Sequence, residues 1–257
     1  MQKLTIANRK NQRLVVLVEP AEPQKGLVFI MHGLGGTKDG PMQVALSEEF
    51  RHARYTVVRF DTTNTFGESD GRFEEATVTS SYQDLEDVIT WAQTQPWYQE
   101  PSLLAGHSLG GSCTAFYAEQ HPDKVLAVAP IAAVVSGKLS LEAPSLAGKW
   151  QEWQRTGWQE RGSATKPGLT KRLPWSHMED RLKYDLLPLA NRLTMPVFLL
   201  AGELDDRTPP AHQQILFAAL PGPKELHIIA GAPHTFGSAR HLRDMKKRLR
   251  KWLRVLP

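Results

Sequence analysis

Within this 257-residue chain, the serine of Gly106-His107-Ser108-Leu109-Gly110-Gly111 is the side chain best placed to act as a nucleophile. The segment follows the apolar run Leu103-Leu104-Ala105 and precedes a helix-like stretch, Ser112 to Gln120, so a G-x-S-x-G pattern falls between a strand and a helix. A backbone that reverses so sharply crowds the positions two residues either side of the serine, and both must be small. Ser108 would stand above the sheet edge at the positive end of a helix. A hydroxyl is unreactive at neutral pH without a base to take its proton and a carboxylate to orient that base. Of the nine histidines, His234 is the candidate base. It sits in Gly231-Ala232-Pro233-His234-Thr235-Phe236, after the last apolar run and before the final helical stretch, hence in a loop at the same sheet edge. His227 falls inside a strand-like run, His212 and His241 in helical stretches and His121 at a helix end, while His107 must diverge from Ser108 at the sharp turn. All five read as structural or solvated. The acid is sought in Gly202-Glu203-Leu204-Asp205-Asp206-Arg207-Thr208-Pro209, where Asp205 leads and Asp206 and Glu203 are alternates.

Acyl transfer also needs two backbone N–H groups aimed at the developing oxyanion. The segment Met31-His32-Gly33-Leu34-Gly35-Gly36 closes an earlier apolar run, so the N–H groups of Leu34 and Leu109 are the candidates for that oxyanion hole. A phosphate-binding loop does not fit. G-x-G-x-x-G begun at Gly33 would need glycine where Lys38 stands, and no Gly-Lys-Ser/Thr follows.

These residues need a scaffold, and the apolar runs supply it. Leu14–Val18, Leu27–Met31, Tyr55–Phe60, Ser102–Ala105, Val125–Ala129, Val197–Ala201 and Glu225–Ile229 are mostly apolar throughout rather than alternating, as strands buried on both faces are. With helices between them they predict an α/β fold, a mostly parallel sheet covered on both sides. The opening pair, Leu4-Thr5-Ile6 and Leu14–Val18, flanks a short polar turn and predicts an antiparallel hairpin at the sheet edge. Ser81–Gln93 carries Leu85, Val88, Ile89 and Ala92 at helical spacing, with Asp84, Glu86 and Asp87 placed early to complement the helix dipole.

Between about Ser136 and Leu193 no strand-like run occurs, yet four of the seven tryptophans, Trp150, Trp153, Trp158 and Trp175, fall there. Residues 136–193 therefore predict a small cap inserted into a core made of 1–135 and 194–257, its tryptophans serving either as its own core or as a pocket wall.

The chain resembles the α/β-hydrolase superfamily along nearly its whole length. Ser108, Asp205 and His234 occur in that fold's nucleophile, acid and histidine order, and Gly202-x-x-Asp205 and His234-Thr235-Phe236 are similar to its acid and histidine loops. Arg59-Phe60-Asp61 followed by Phe66-Gly67-Glu68-Ser69-Asp70-Gly71 resembles a further segment of the family, with Thr63-Asn64 where an Arg-Gly pair would be expected. Asp61 reads as a structural carboxylate satisfying loop N–H groups. Within the superfamily the chain looks most like bacterial carboxylesterases of the feruloyl or cinnamoyl type and monoglyceride-lipase-like proteins. The resemblance implies hydrolysis of a small-molecule ester through an acyl-enzyme on Ser108. Thioesterase and monoacylglycerol-lipase activities are the enzymatic alternatives, and a catalytically silent binding member of the fold is the non-enzymatic one.

Composition bounds the rest. At 41% hydrophobic and 23% charged residues the chain is that of an ordinary globular protein, and disorder is excluded. One cysteine, Cys113, excludes an intramolecular disulfide and lacks the company a metal site needs, so neither metal nor cofactor is expected. The first ten residues hold no apolar signal core and no 18-residue apolar stretch occurs, which sets a cytoplasmic location as the expectation. The net charge of +4 is localised. Residues 240–257 hold eight basic residues and one acid, and 149–183 hold eight basic and four acidic, leaving the rest of the chain negative. That distribution argues against a nucleic-acid partner. The basic terminal helix reads as a solvated face, with contact to an anionic membrane as the lesser reading.

Overall fold

Consecutive residues of the central strands point to opposite faces of one sheet, and helices cover both faces. In β3 (Gly26–Met31), Leu27, Phe29 and Met31 enter one core while Val28 and Ile30 enter the other. This is why the strand runs are continuously apolar instead of alternating. The structure, a computed structural model, describes residues 1–162, 168 and 170–257. Among these residues the remaining strands are β1 (Gln2–Ala7), β2 (Arg13–Glu19), β4 (Tyr55–Phe60), β5 (Ser102–His107), β6 (Val125–Ile131), β7 (Trp158–Gly162), β8 (Thr170–Pro174), β9 (Val197–Gly202) and β10 (Lys224–Ile229). Eight form the main sheet in the order β1-β2-β4-β3-β5-β6-β9-β10. The β1–β2 and β2–β4 pairings are antiparallel and the others parallel, so the opening hairpin forms the sheet edge as expected.

The helices are α1 (Pro41–His52), α2 (Val78–Ala92), α3 (Leu109–Gln120), α4 (Gly137–Glu142), α5 (Trp150–Thr156), α6 (Trp175–Arg181), α7 (Pro210–Ala219) and α8 (Ala239–Leu253). Helices α2 and α3 contribute Leu85, Val88, Ile89, Cys113 and Phe116 to one core. On the opposite face α1 and α8 contribute Met42, Leu46, Phe50, Met245, Leu249 and Trp252. The basic side of α8 is not wholly given to water. Arg250 pairs with Glu49 of α1 at 2.7 Å, and Lys246 with Glu48 at 2.6 Å.

Two details differ from the sequence expectation. Helix α2 begins three residues earlier than Ser81, because Thr77 and Ser80 close a reciprocal capping box. No acid then lies in its first turn, and Asp84 is buried, accepting hydrogen bonds from Asn8 and from both the N–H and hydroxyl of Thr63. It anchors loops instead of complementing the dipole.

The second difference is that the stretch 136–193 does contain strands. β7 and β8 pair antiparallel as a separate two-stranded ribbon. Their sequences, Trp-Gln-Glu-Arg-Gly and Thr-Lys-Arg-Leu-Pro, carry almost no apolar signal, because only one face is sheltered and that face is itself largely polar. Residues 163–167 and 169, part of the predicted insertion, lie outside the described residues. No helix among those described is long and apolar enough to cross a membrane.

Candidate active site

Three loops at one edge of the sheet bring Ser108, Asp205 and His234 together. Ser108 lies between β5 and α3 with φ 55° and ψ −120°, a backbone state that costs roughly 1–3 kcal/mol and persists only where its surroundings hold it. Its N–H is held by Ile131 O at 2.9 Å. The small neighbours are needed by close approach. A Cβ on Gly106 would stand 2.4 Å from the backbone of Gly110, and one on Gly110 would stand 2.4 Å from His32 O.

The Ser108 Oγ lies 2.9 Å from His234 Nε2, and His234 Nδ1 lies 2.8 Å from Asp205 Oδ2. With a carboxylate at Nδ1 the ring carries its hydrogen there, which leaves the Nε2 lone pair facing the serine hydroxyl. Asp205 is buried, and burial works to raise its pKa. Hydrogen bonds from His234 and from the backbone N–H groups of Thr208 and Arg207 outweigh that effect and bring it down to about 2. Asp206, one alternate acid, is exposed, and Glu203, the other, accepts from Gly231 N.

Thr208 is a site residue that the sequence reading did not single out. Its hydroxyl lies 2.9 Å from Asp205 Oδ2, 3.0 Å from Ala132 O and 3.2 Å from His234 Nδ1. It therefore fixes the carboxylate and the imidazole against the end of β6. Asp-x-x-Thr, which places a hydroxyl where it can satisfy the aspartate, was the signal available.

His107 diverges from Ser108 as expected and has a supporting task. Its Nε2 donates to His234 O at 2.9 Å, and the two rings lie 4.8 Å apart. Burial, with the neighbouring His234, pushes its pKa down to about 3, so it stays neutral. His212 and His241 lie in α7 and α8, His227 lies in β10, and His121 caps α3. Cys113 is buried in the core, with burial raising its pKa. The described residues contain no cluster of histidine, cysteine and acids able to hold a metal ion.

The loop after β3 lies directly against the serine. A Cβ on Gly33 would be 3.1 Å from Ser108 Cβ and from His107 O. The loop is braced by His32, whose Nδ1 donates to Gly33 O at 2.8 Å while Nε2 accepts from Thr62 N at 3.1 Å. Among the described residues, the N–H groups of Leu34 and Leu109 have no protein acceptor. Asp61 behaves as a structural carboxylate. It is fully buried and accepts from Lys38 N, Glu68 N and Lys38 Nζ at 2.7, 2.9 and 3.0 Å. Where the family segment has Arg-Gly, Thr63 instead bonds Asp84, and Asn64 takes a left-handed φ of 59°.

The insertion packs over this loop. Trp153, Leu146, Leu173, Met178 and Phe73 form a small core that Leu34, Phe66 and Trp175 join. Trp153 Nε1 donates to Leu173 O at 3.0 Å, and Trp175 stacks with Trp150 and meets Trp153 edge-on. Trp158 instead faces solvent beneath Arg172, 4.5 Å from its ring centre. Trp153 is thus the buried tryptophan of this small core, while Trp150 and Trp175 are half-buried. Lys171 Nζ reaches Gly35 O at 3.4 Å, over the rings of Phe66 and Phe73, which ties the β7–β8 ribbon to the loop after β3.

Residues 26–162 match the family model of the alpha/beta hydrolase fold. The mitochondrial palmitoyl-protein thioesterase ABHD10 of Rattus norvegicus is 28% identical over 212 residues, covering 81% of this chain and 68% of the relative. Est1E of Butyrivibrio proteoclasticus with ferulic acid bound superposes with a TM-score of 0.84 at 18% identity, over 98% of each chain. The alpha/beta hydrolase domain-containing protein 10 from mouse superposes with a TM-score of 0.82 at 20% identity, over 100% of each chain. At those identities the two structures speak to the fold.

Proposed function

The chain belongs to the alpha/beta hydrolase fold family, and on that footing we propose that it hydrolyses carboxylic esters through an acyl-enzyme on Ser108. The observation that carries this is the unbroken path from Asp205 through His234 to the Ser108 hydroxyl, with both hydrogen bonds under 3 Å. In this reading His234 Nε2 takes the hydroxyl proton as Oγ attacks the carbonyl carbon. Leu34 N–H and Leu109 N–H receive the negative charge on the carbonyl oxygen. The proton then passes from His234 to the leaving alcohol, and a water activated by the same imidazole releases the acid. Asp205, ionised, holds the tautomer and balances the imidazolium while it exists.

Residues 136–193 act as a cap in this reading, since their small core shares Leu34 with the oxyanion loop. A change of cap packing would therefore be felt at the oxyanion position. Thioester hydrolysis is a second reading, favoured by the 28% identity to a protein named as a palmitoyl-protein thioesterase. The same machinery serves both, because attack and oxyanion stabilisation are shared and only the leaving atom differs.

The test is a rate profile over 4-nitrophenyl esters of rising chain length, methyl ferulate and acyl thioesters, run on the wild type and on Ser108→Ala. Ester turnover that disappears in the variant supports the proposal. Turnover of thioesters alone favours the second reading, and equal turnover in the variant overturns both.

A further inference from the structure

The eight basic residues between 240 and 254 divide by direction around α8. Met245, Leu249, Trp252 and Leu253 turn toward the sheet, and all four are buried. On the flank toward α1, Lys246 pairs with Glu48 and Glu49, and Arg250 pairs with Glu49. On the other flank Arg248 pairs with Asp244, and its Nη1 lies 3.2 Å from His227 Nδ1 of β10. The remaining five, Arg240, Arg243, Lys247, Lys251 and Arg254, fall within an arc of about 80° directed away from the sheet, since successive helical residues turn by about 100°. All five are exposed, and among the described residues none has an ion-pair or side-chain hydrogen-bond partner.

This crest works against the helix that carries it. Each cation stands three or four residues from the next, the spacing at which like charges repel on a helix. Arg240 lies in the first turn, where the helix dipole is already positive and no acid offsets it. The flanks of the same helix pair their cations with carboxylates, so the crest breaks a rule its own neighbours keep, and an anion from outside the chain would relieve it.

The form of the crest and of its ends favours lipid. The row is straight, convex and about 21 Å long. At its C-terminal end Arg254 and Arg250, with His52 and Glu49, line an open cavity of about 440 Å³ whose apolar lining is Leu253 and Ala53. Val255, 72% exposed, follows directly. Leu204, 64% exposed, belongs to a loop bonded to the segment that leads into α8, through Leu204 N and Ala232 O at 2.9 Å. A cationic stripe with exposed apolar side chains near its ends is the make-up of an interfacial surface. Nucleic-acid surfaces intersperse such cations with amide or aromatic side chains that reach the bases, and the crest holds none.

We propose that this face of α8 docks the protein on an anionic lipid bilayer, with the five cations lying over the headgroups. The apolar face of the helix is already packed on the sheet, so the attachment is peripheral and electrostatic, and each cation strengthens it by about fivefold. It requires nothing of Ser108 and stands apart from the hydrolase reading.

The test is co-sedimentation of the full chain with unilamellar vesicles, of phosphatidylcholine alone or with about one-third phosphatidylserine, at about 0.1 M salt. The protein should pellet with the anionic vesicles and not with the neutral ones, and about 1 M salt should release it. Replacing two crest residues together, Lys247→Gln and Lys251→Gln, should weaken binding by about 25-fold with the melting temperature unchanged. Replacing Lys10→Gln and Lys149→Gln together removes the same net charge from exposed sites elsewhere and should leave binding within about twofold of wild type. Absence of binding to the anionic vesicles, equal binding to the neutral ones, or an equal loss in the two double variants overturns the docking surface. Tighter binding to a double-stranded DNA fragment than to the anionic vesicles at the same salt also overturns it, because the crest would then be a nucleic-acid contact.

Discussion

The nucleophile loop and the inserted ribbon solve opposite problems with opposite residues. Around Ser108 the backbone does the positioning: at Gly106 and Gly110 an added Cβ would stand 2.4 Å from neighbouring backbone, and strands β3 and β5 are buried on both faces. In the ribbon, side chains do the work. Gln159, Arg161, Lys171 and Leu173 line its sheltered face, and three of those four are polar or charged. The first region fixes atoms to within hydrogen-bond tolerance, and the second presents a polar, basic face. The geometry of the Ser108–His234–Asp205 row thus belongs to the fold, whereas the ribbon rests on a small core of its own.

The largest expected effect lies on the backbone-positioned side. Ser108→Ala should lower kcat by roughly 10⁴- to 10⁶-fold, measured on the best ester found, with little change in melting temperature. Asp205→Asn should cost on the order of 10⁴-fold, because the amide no longer enforces the required tautomer of His234. If the Asp205→Asn enzyme retained wild-type turnover, the acid would have to lie elsewhere in the loop. Gly110→Ala should destabilise the fold by about 2–4 kcal/mol by chemical denaturation, since its Cβ would stand 2.4 Å from His32 O.

On the inserted side, Trp153→Ala removes a buried indole and its hydrogen bond to Leu173 O. About 3 kcal/mol of local packing should be lost. That loss should appear as faster amide exchange in 146–178, with exchange in the strands of the main sheet unchanged. Equal acceleration in β3 and β5 would show that insertion and sheet unfold as one unit.

The smallest effect separates the two regions by pH. His107 under the serine and His177 under the insertion both have pKa values pushed from 6.5 down to about 3, chiefly by burial. The unfolded chain therefore binds protons first, and stability present above pH 6.5 is lost progressively as pH falls toward 3. Asp205, lowered from 3.8 to about 2, adds a further loss only below pH 3.8. Melting temperature measured from pH 7.5 to 4 should fall, and His177→Gln should flatten part of the slope. An unchanged slope in that variant would place the titrating group elsewhere.

How far the sequence could be read follows the same division. The strands of the main sheet were legible because burial on both faces writes an uninterrupted apolar run, as in Leu27–Met31. Ser108, His234 and Asp205 were legible because sharp turns after strands leave a local signature of small residues and charged loops, and the structure brings those three into one hydrogen-bonded row. The ribbon was not legible. Its strands are stabilised by pairing and by one small core, and their polar side chains carry no periodicity that distinguishes them from a loop. Thr208 and His177 were hidden for a different reason, since each is placed by contacts between segments far apart in the chain, Thr208 with Ala132 and His177 with Ala76. Asp84 shows the converse error: its early place in a helix suggested dipole complementation, whereas its use is set by Asn8 and Thr63.

The account rests most directly on Ser108 being the nucleophile. Incubation with a fluorophosphonate, followed by proteolysis and mass spectrometry, measures this without knowledge of the substrate. The account predicts one adduct, on the peptide containing Ser108, formed faster than in Asp205→Asn and absent from Ser108→Ala. An adduct at another residue, or an unmodified wild-type protein under conditions that label a known serine hydrolase, would contradict it.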